Sequence, residues 1–252
     1  MAKTKKLTKQ KNKIESYVFD DFTQHALFKL SSNHVIDSIE YPISSGKESI
    51  TFFGHLKDTP LVAKIYKIET SKFKNMDKYI NGDYRFKNCP KDKKDIVLLW
   101  VDKEFKNLTL ASNNQVSCPI PIAKEKNILI MSFIGTPDGV SFPKLTETPF
   151  DFDSVYDQII ENYAKMLYGA KIVHADFSPF NILINPETQK ITIIDFGQAV
   201  TEKHPNAKNF LKRDIISITD FLNKKFKNKN LSYSKVLDDI KTRKLDIYGR
   251  NN

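Results

Sequence analysis

Apolar positions in the first half of the chain gather into short β-type runs separated by polar turns. Tyr41 to Ile43 and Ile50 to Phe53 flank Ser44-Ser45-Gly46-Lys47-Glu48-Ser49, a pattern that predicts a hairpin with a small polar tip. Leu61 to Tyr66 predicts a strand on which Lys64 shares a face with Val62 and Tyr66, and a lysine in such a run needs a reason. Upstream, Tyr17 to Leu30 has enough apolar residues for a short helix or two. Ser71 to Asp95 is polar, with eight basic and four acidic residues plus Gly82 and Pro90, and reads as a long loop or partly ordered insertion. From Ile96 to Ala111 the period becomes helical: Val97, Val101, Phe105 and Leu108 form a stripe, with Glu104 at its edge. Ile128 to Ile134 reads as a buried strand running into Gly135, followed by a proline-rich connector at 136–149. Further on, Ser154 is expected to cap a helix whose apolar positions Val155, Ile159, Tyr163 and Leu167 recur every four residues. Ile182 to Ile184 and Ile191 to Ile194 flank Asn185-Pro186-Glu187-Thr188-Gln189 as strand, turn and strand. In the helical stretch Asn209 to Leu222, Asp214 lies among Phe210, Leu211, Ile215, Ile218 and Leu222. It is expected to be buried and to accept backbone hydrogen bonds from the loop near His174, because an unsatisfied carboxylate there is costly.

Composition narrows the class without assigning a function. Hydrophobic residues at 40% and charged residues at 28% are those of an ordinary globular chain. No run approaches the roughly 18 apolar residues of a membrane span, and no apolar segment follows the six lysines of Met1 to Lys13. A cytoplasmic location without membrane contact is therefore expected. Cys89 and Cys118 form no Cys-x-x-Cys pair and read as ordinary thiols, and the five histidines show no zinc-ligand spacing. Any metal should then be a hard ion on oxygen ligands. The net charge of +10 is carried mostly by lysine and is concentrated in 1–13, in 72–94 and after 222. For any one lysine this is a solvated surface; together they suggest a face for nucleic acid.

The chemistry is concentrated in two motifs that bracket the second hairpin. His174-Ala175-Asp176-Phe177-Ser178-Pro179-Phe180-Asn181 has an Asn five residues after the Asp, and Asp195-Phe196-Gly197 follows an apolar strand. In this order and spacing they match the catalytic and metal-binding loops of protein kinases. Phosphoryl transfer needs an acceptor held in line and a cation against the growing charge; Asn181 and Asp195 offer hard oxygens for magnesium, and Asp176 would position or deprotonate the nucleophile. An Asp-Phe-Gly alone is weak, since an Asp at a strand end is often a turn-former. Lys64 and Glu104 complete the template as a phosphate-gripping lysine oriented by a helix carboxylate. Taken singly they would be a snorkelling lysine and a stripe-edge glutamate. The 44–49 turn has one glycine, so it is neither Gly-x-Gly-x-x-Gly nor a Walker loop; hydroxyls, backbone amides and Lys47 would cradle phosphates instead.

Ser-Ser-Gly-Lys-Glu, Val-Ala-Lys-Ile-Tyr, Lys-Glu-Phe-Lys-Asn-Leu, Met-Ser-Phe-Ile-Gly, His-Ala-Asp-Phe-Ser-Pro-Phe-Asn and Asp-Phe-Gly-Gln-Ala-Val together resemble the RIO atypical protein kinases, from about Leu30 to Asp220. About forty residues precede the serine-rich turn, short of the winged helix of second-type members, so the chain is most similar to first-type, archaeal members. The resemblance implies an α+β, two-lobed, reduced protein-kinase-like fold: an antiparallel N-lobe sheet with a helix and a small, mostly helical C-lobe. Its parts would be a basic arm and helical segment at 1–40, an N-lobe at 41–135 with the 71–95 insertion and hinge, and a C-lobe at 136–252 with a basic tail. It implies ATP with Mg2+ or Mn2+ as cofactors. Ser45, Gly46 and Lys47 would lie near the phosphates, Lys64 with Glu104, backbone adenine contacts at Ser132 and Ile134, and Met131 as gatekeeper. It further implies Asp176, Asn181 and Asp195 in the roles above, with Asp195 able to accept phosphate. Ser178, where ordinary kinases have lysine, agrees with the family; Ser45 for a usual threonine, Pro179 for a usual acid and the complete Asp-Phe-Gly depart from it. The 57 residues after Asp195 are expected to be too few for a full activation segment and its substrate helices.

What the resemblance implies for function is a serine/threonine kinase or ATPase that binds pre-ribosomal small-subunit particles and rRNA, with a protein substrate as the other partner class. Two rivals remain at this point. One is a small-molecule kinase of the aminoglycoside or choline type, whose acidic substrate pocket this basic C-terminus does not suggest. The other is a nucleotide-sensing rRNA scaffold without turnover, which the full set of catalytic groups disfavours.

Overall fold

The structure, a computed structural model, describes residues 20–68, 76–86 and 90–249. The basic arm at 1–13, Cys89 and part of the predicted insertion lie outside the described residues. Packing divides the chain into two units, Met1–Asn75 with Pro90–Phe105 and Pro121–Phe133, and Met76–Cys89 with Lys106–Ile120 and Ile134–Asn252. The second unit thus includes 76–89 and 106–120 besides 134–252.

The first unit is built on a five-stranded antiparallel sheet in the order β1-β2-β3-β5-β4, with β1 at Ser38–Ser45, β2 at Ser49–Leu56, β3 at Thr59–Tyr66, β4 at Pro121–Glu125 and β5 at Ile128–Ser132. Alternation along β2 and β3 turns Ile50, Phe52, Leu61, Ala63 and Ile65 to one face, where they pack with Ala26 and Leu30 of helix α1, Asp21–Ser32. Fully burying each of the larger of these side chains contributes about 1.5–3 kcal/mol. The Asp20 carboxylate caps α1 by accepting from the Thr23 amide at 2.8 Å. The other face of the sheet is left to Thr51, Phe53, Val62 and Lys64, in the register Thr51 to Lys64 and Phe53 to Val62. Pro42 lies on edge strand β1 between two register shifts, where no ladder donor is needed. At Gly54 a Cβ would meet the Ser38 carbonyl at 2.2 Å, so only glycine lets β1 approach β2 there.

The second unit holds the short hairpin of β7, Ile182–Ile184, and β8, Ile191–Ile193, and a two-residue pairing of β6, Ile172–Val173, with β9, Val200–Thr201. The β7–β8 turn is closed by Asn185, whose Oδ1 accepts from the amides of Glu187 at 2.9 Å and Thr188 at 3.1 Å. Helix α2, Asp77–Ile80, is a single turn, and α3, Lys93–Asn113, begins in the first unit and ends in the second. Helix α4, Phe152–Ala164, is followed by a widened turn, Lys165–Gly169, and α5, Ala207–Lys225, and α6, Tyr233–Tyr248, complete the unit.

Two elements differ from the sequence expectation. The cap of α4 is Asp151, one residue before the helix, and its carboxylate accepts from the Ser154 amide at 2.8 Å, so Ser154 is inside the first turn. The stretch read as a polar loop contains an ordered piece at 76–86 in which Met76, Tyr79, Ile80 and Phe86 are buried. Met76, Tyr79 and Ile80 have helical i, i+3, i+4 spacing, diluted by the charges around them. Tyr79 packs on Phe210 with ring centroids 5.2 Å apart, and the His204 ring nitrogen is 3.0 Å from the Asn81 carbonyl oxygen. Gly82 is required there: its φ is +92° and a Cβ would meet Pro205 Cδ at 2.7 Å. Among the described residues no helix is long and apolar enough to cross a membrane.

Candidate active site

In the first unit β3 presents Lys64 and the first part of α3 presents Glu104. The Lys64 ammonium donates to Glu104 Oε1 at 2.8 Å and Oε2 at 3.0 Å, with the carboxylate only 1% exposed. The Tyr66 hydroxyl, two residues along the same strand face, also donates to Glu104 Oε2. A stripe-edge glutamate in an apolar setting is thus satisfied by a strand that carries two donors on one face. Tyr66 was visible in the strand pattern as a neighbour of Lys64, but its bond to Glu104 was not.

Ser45, Gly46 and Lys47 are exposed in the β1–β2 turn. The turn is closed by the Gly46 amide on the Ser49 carbonyl at 2.9 Å and tied down by Lys67, whose ammonium donates to the Gly46 carbonyl at 2.8 Å. A Cβ at Gly46 would make only an ordinary 3.5 Å contact, so glycine is not demanded there by packing. Met131 and Ser132 end β5, with Met131 opposite Val62, while Ile134 belongs to the second unit.

In the second unit β6 leads into the loop of Asp176, and a tight turn, Pro179–Asn181, leads on into β7. Asn181 Nδ2 donates to the Asp176 carbonyl at 2.9 Å and to Asp176 Oδ2 at 3.3 Å. The loop contains a strained residue, Ala175, with φ of +64° and no exposure. Helix α5 pins that residue on both sides. Asp214, 1% exposed, accepts from the Ala175 amide at 2.8 Å and the Phe177 amide at 3.1 Å, while the Arg213 guanidinium donates to the Ala175 carbonyl. The Tyr163 hydroxyl of α4 adds a third donor to Asp214 at 2.8 Å. The expected burial of Asp214 and its backbone bonds to the His174 loop are therefore present.

Asp195 follows β8, exposed and with φ of +66°. The turn after it is fixed by Asn107 from the second part of α3, whose Nδ2 donates to the carbonyls of Phe196 and Ala199 at 2.8 Å each. Phe196 is buried against His174, with ring centroids 4.8 Å apart. Gln198 extends from this turn and its Nε2 donates to Asp176 Oδ2 at 3.1 Å. Asn107 had a trace in the sequence, as a polar residue three after Glu104 at the edge of the same stripe. Tyr163 entered only as an apolar stripe position and Gln198 only within Asp-Phe-Gly-Gln-Ala-Val, and nothing in the sequence pointed to their bonds or to that of Arg213.

Burial pushes Asp176 up to about 6, and the negative charge of Asp195 pushes in the same direction; Arg213, the Asn181 hydrogen bond and Lys78 pull it down. Two carboxylates close enough to repel, together with the Asn181 amide oxygen left over when its nitrogen serves Asp176, make a hard-oxygen set that suits a divalent cation. Among the described residues, no group of three or more His, Cys, Asp or Glu side chains gathers as a metal site, so the set here is two carboxylates and an amide oxygen.

A model of the RIO domain matches residues 50–236. The chain is 40% identical over 210 residues to the RIO-type serine/threonine-protein kinase Rio1 of Haloferax volcanii, covering 83% of this chain and 71% of that one. It is 43% identical over 164 residues to Rio1 of Thermoplasma acidophilum, covering 65% and 85%. Human serine/threonine-protein kinase RIO1 is 34% identical over 210 residues, which is 81% of this chain and 36% of that protein. The crystal structure of the Rio2 kinase–ADP/Mg2+–phosphoaspartate complex from Chaetomium thermophilum superposes with a TM-score of 0.66 at 21% identity, covering 92% of this chain and 72% of that one, and shows the same α+β kinase-like fold. With the RIO model running from β2 through the Asp176 loop and the Asp195 turn, and with archaeal Rio1 proteins among its relatives, the chain belongs to the RIO family of protein kinases, on the Rio1 branch.

Proposed function

We propose that the chain is an ATP- and magnesium-dependent serine/threonine protein kinase and ATPase that serves the maturation of the small ribosomal subunit. The observation that carries the phosphotransfer reading is the arrangement around Asp176: Asn181 turns its amide nitrogen to that residue and its amide oxygen away from it, in the loop that precedes the β7–β8 hairpin ending at Asp195. Asn181 and Asp195 would hold Mg2+ or Mn2+. The bound cation supplies charge neutralisation on the transferring phosphoryl group. Asp176 accepts the proton of the attacking hydroxyl, from a serine, a threonine or water, and with its value near 6 it is ionised at neutral pH. Lys64, oriented by Glu104 and Tyr66, donates to the nucleotide phosphates. Ser45, Gly46 and the side chain of Lys47 line the phosphates in the β1–β2 turn, whose own closure uses the Gly46 amide. Met131, Ser132 and Ile134 serve the adenine.

The name of the Chaetomium thermophilum complex supports Asp195 as the residue that takes phosphate during ATP hydrolysis, since it includes a phosphoaspartate. The kinase names of the Rio1 relatives support a hydroxyl acceptor. The ribosomal assignment rests on the family and on the net charge of +10. The test is ATP turnover by the purified chain, alone and with pre-ribosomal small-subunit particles. Asp176→Asn should bind nucleotide normally and lose turnover, and Asp195→Ala should lose both turnover and magnesium dependence. Unchanged turnover in Asp176→Asn refutes the assignment.

A further inference from the structure

The bonds around Asp176 are one-sided. Asn181 Nδ2 and Gln198 Nε2 both reach Oδ2, at 3.3 Å and 3.1 Å, and among the described residues no side chain or amide donates to Oδ1. A carboxylate held by two donors on one oxygen has lost its freedom to rotate, and its other oxygen keeps its lone pairs for an incoming proton. Gln198 also has little freedom of its own. It lies between Phe196 and Ala199, whose carbonyls are both held by the buried Asn107 amide at 2.8 Å, and the Ala199 amide closes the turn on the Phe196 carbonyl at 3.1 Å. The turn that sets Asp195 in its left-handed conformation therefore also aims Gln198 at Asp176.

We propose that Gln198 is a positioning residue for phosphoryl transfer: its amide fixes Asp176 through Oδ2, so that Oδ1 faces the acceptor hydroxyl. This rests on the phosphotransfer reading above. In this role Gln198 acts through Asp176, so its loss should affect the chemical step and not binding, and a small misplacement of a general base is enough to slow that step by one to two powers of ten. A role confined to folding would instead lower thermal stability and nucleotide affinity together.

The experiment compares Gln198→Met, which keeps length and loses the donor, with Gln198→Lys, which keeps a donor, in the full chain. The measurements are kcat and KM for ATP, the Kd of Mg-ADP, and Tm. Gln198→Met should lower kcat about 10- to 100-fold with the Mg-ADP Kd within about twofold of the wild type, and Gln198→Lys should recover most of the lost kcat. A wild-type kcat in Gln198→Met overturns the proposal while leaving the kinase reading intact. So does a Gln198→Lys enzyme as slow as the Met variant, because side-chain shape would then matter and not the donor. If Gln198→Met does not fold, the kcat of Gln198→Lys decides by the same rule, a 10-fold loss overturning the role. A wild-type chain without turnover, or an active Asp176→Asn, overturns the phosphotransfer reading and this role with it.

Discussion

Glu104 is a buried carboxylate with two donors on one strand, and that arrangement fixes what removal of either partner does. Lys64→Ala leaves the Glu104 carboxylate at 1% exposure with, among the described residues, the Tyr66 hydroxyl to satisfy it. Breaking such a pair is strongly destabilising, on the order of 3–5 kcal/mol, whereas replacing both members by apolar residues of similar volume is often neutral. We therefore expect Lys64→Met and Glu104→Leu each to lower stability in chemical denaturation and the double substitution to recover most of the loss. None of the three should turn over ATP, because the phosphate-directed ammonium is gone or unoriented. Recovery of stability without recovery of activity would separate the two tasks of the pair. Additive losses in the double variant would show that the two side chains are not coupled through each other.

Helix α5 is the element that makes the Asp176 loop possible, because its Arg213–Asp214 pair grips both the amide and the carbonyl of the strained Ala175. Burial raises Asp214 to about 6 in spite of bonds from Phe177, Tyr163 and Ala175 and the charge of Arg213, all of which lower it. The folded protein thus retains a proton that the unfolded chain, at the ordinary 3.8, releases. The corresponding stability is fully present below about pH 4 and is lost as pH rises through about 6, an amount on the order of 3 kcal/mol. Asp214→Asn has no such titration, so the wild-type Tm should fall relative to the variant between pH 4 and pH 7, by roughly 6–12 °C. A Tm difference that stays flat over this range would mean that Asp214 titrates normally. Asp214 was legible in the sequence because an acid amid five apolar helical neighbours must find donors. The strands, the long helix and the Lys64–Glu104 pairing were legible for the same kind of reason, periodicity with one residue out of place. The ordered piece at 76–86 was not, because lysines and aspartates interrupt its apolar spacing, and its partners Phe210, His204 and Pro205 lie more than a hundred residues away. The α4 cap was misplaced by one turn because Asp151 and Ser154 are both good capping residues, and only the backbone decides between them.

At the scale of the whole molecule the net charge of +10 asks for a purpose. We expect the 1–13 arm and the 72–94 segment to bind ribosomal RNA, more or less tightly according to nucleotide state. The described part of the second segment refines that expectation, since Lys94 stacks on Phe22 with its ammonium 3.9 Å from the ring centroid and so serves its own unit as well as any partner. Lys78, Lys91 and Lys93 remain exposed. Lysine contacts of this kind are directed at phosphate and are nonspecific in sequence, so binding is driven by counterion release. The affinity should then fall with salt along a log–log slope of about −0.7 to −0.9 per phosphate contacted. Deleting 1–13 should make the slope shallower by several contacts, and replacing Lys78, Lys91 and Lys93 by glutamine should do so by fewer, while ATP turnover without RNA is unchanged by the deletion. Titrations of a small-subunit rRNA fragment between roughly 50 and 200 mM salt decide it. A flat profile across that range would make the lysine excess compositional, and the ribosomal role would then rest on family membership alone.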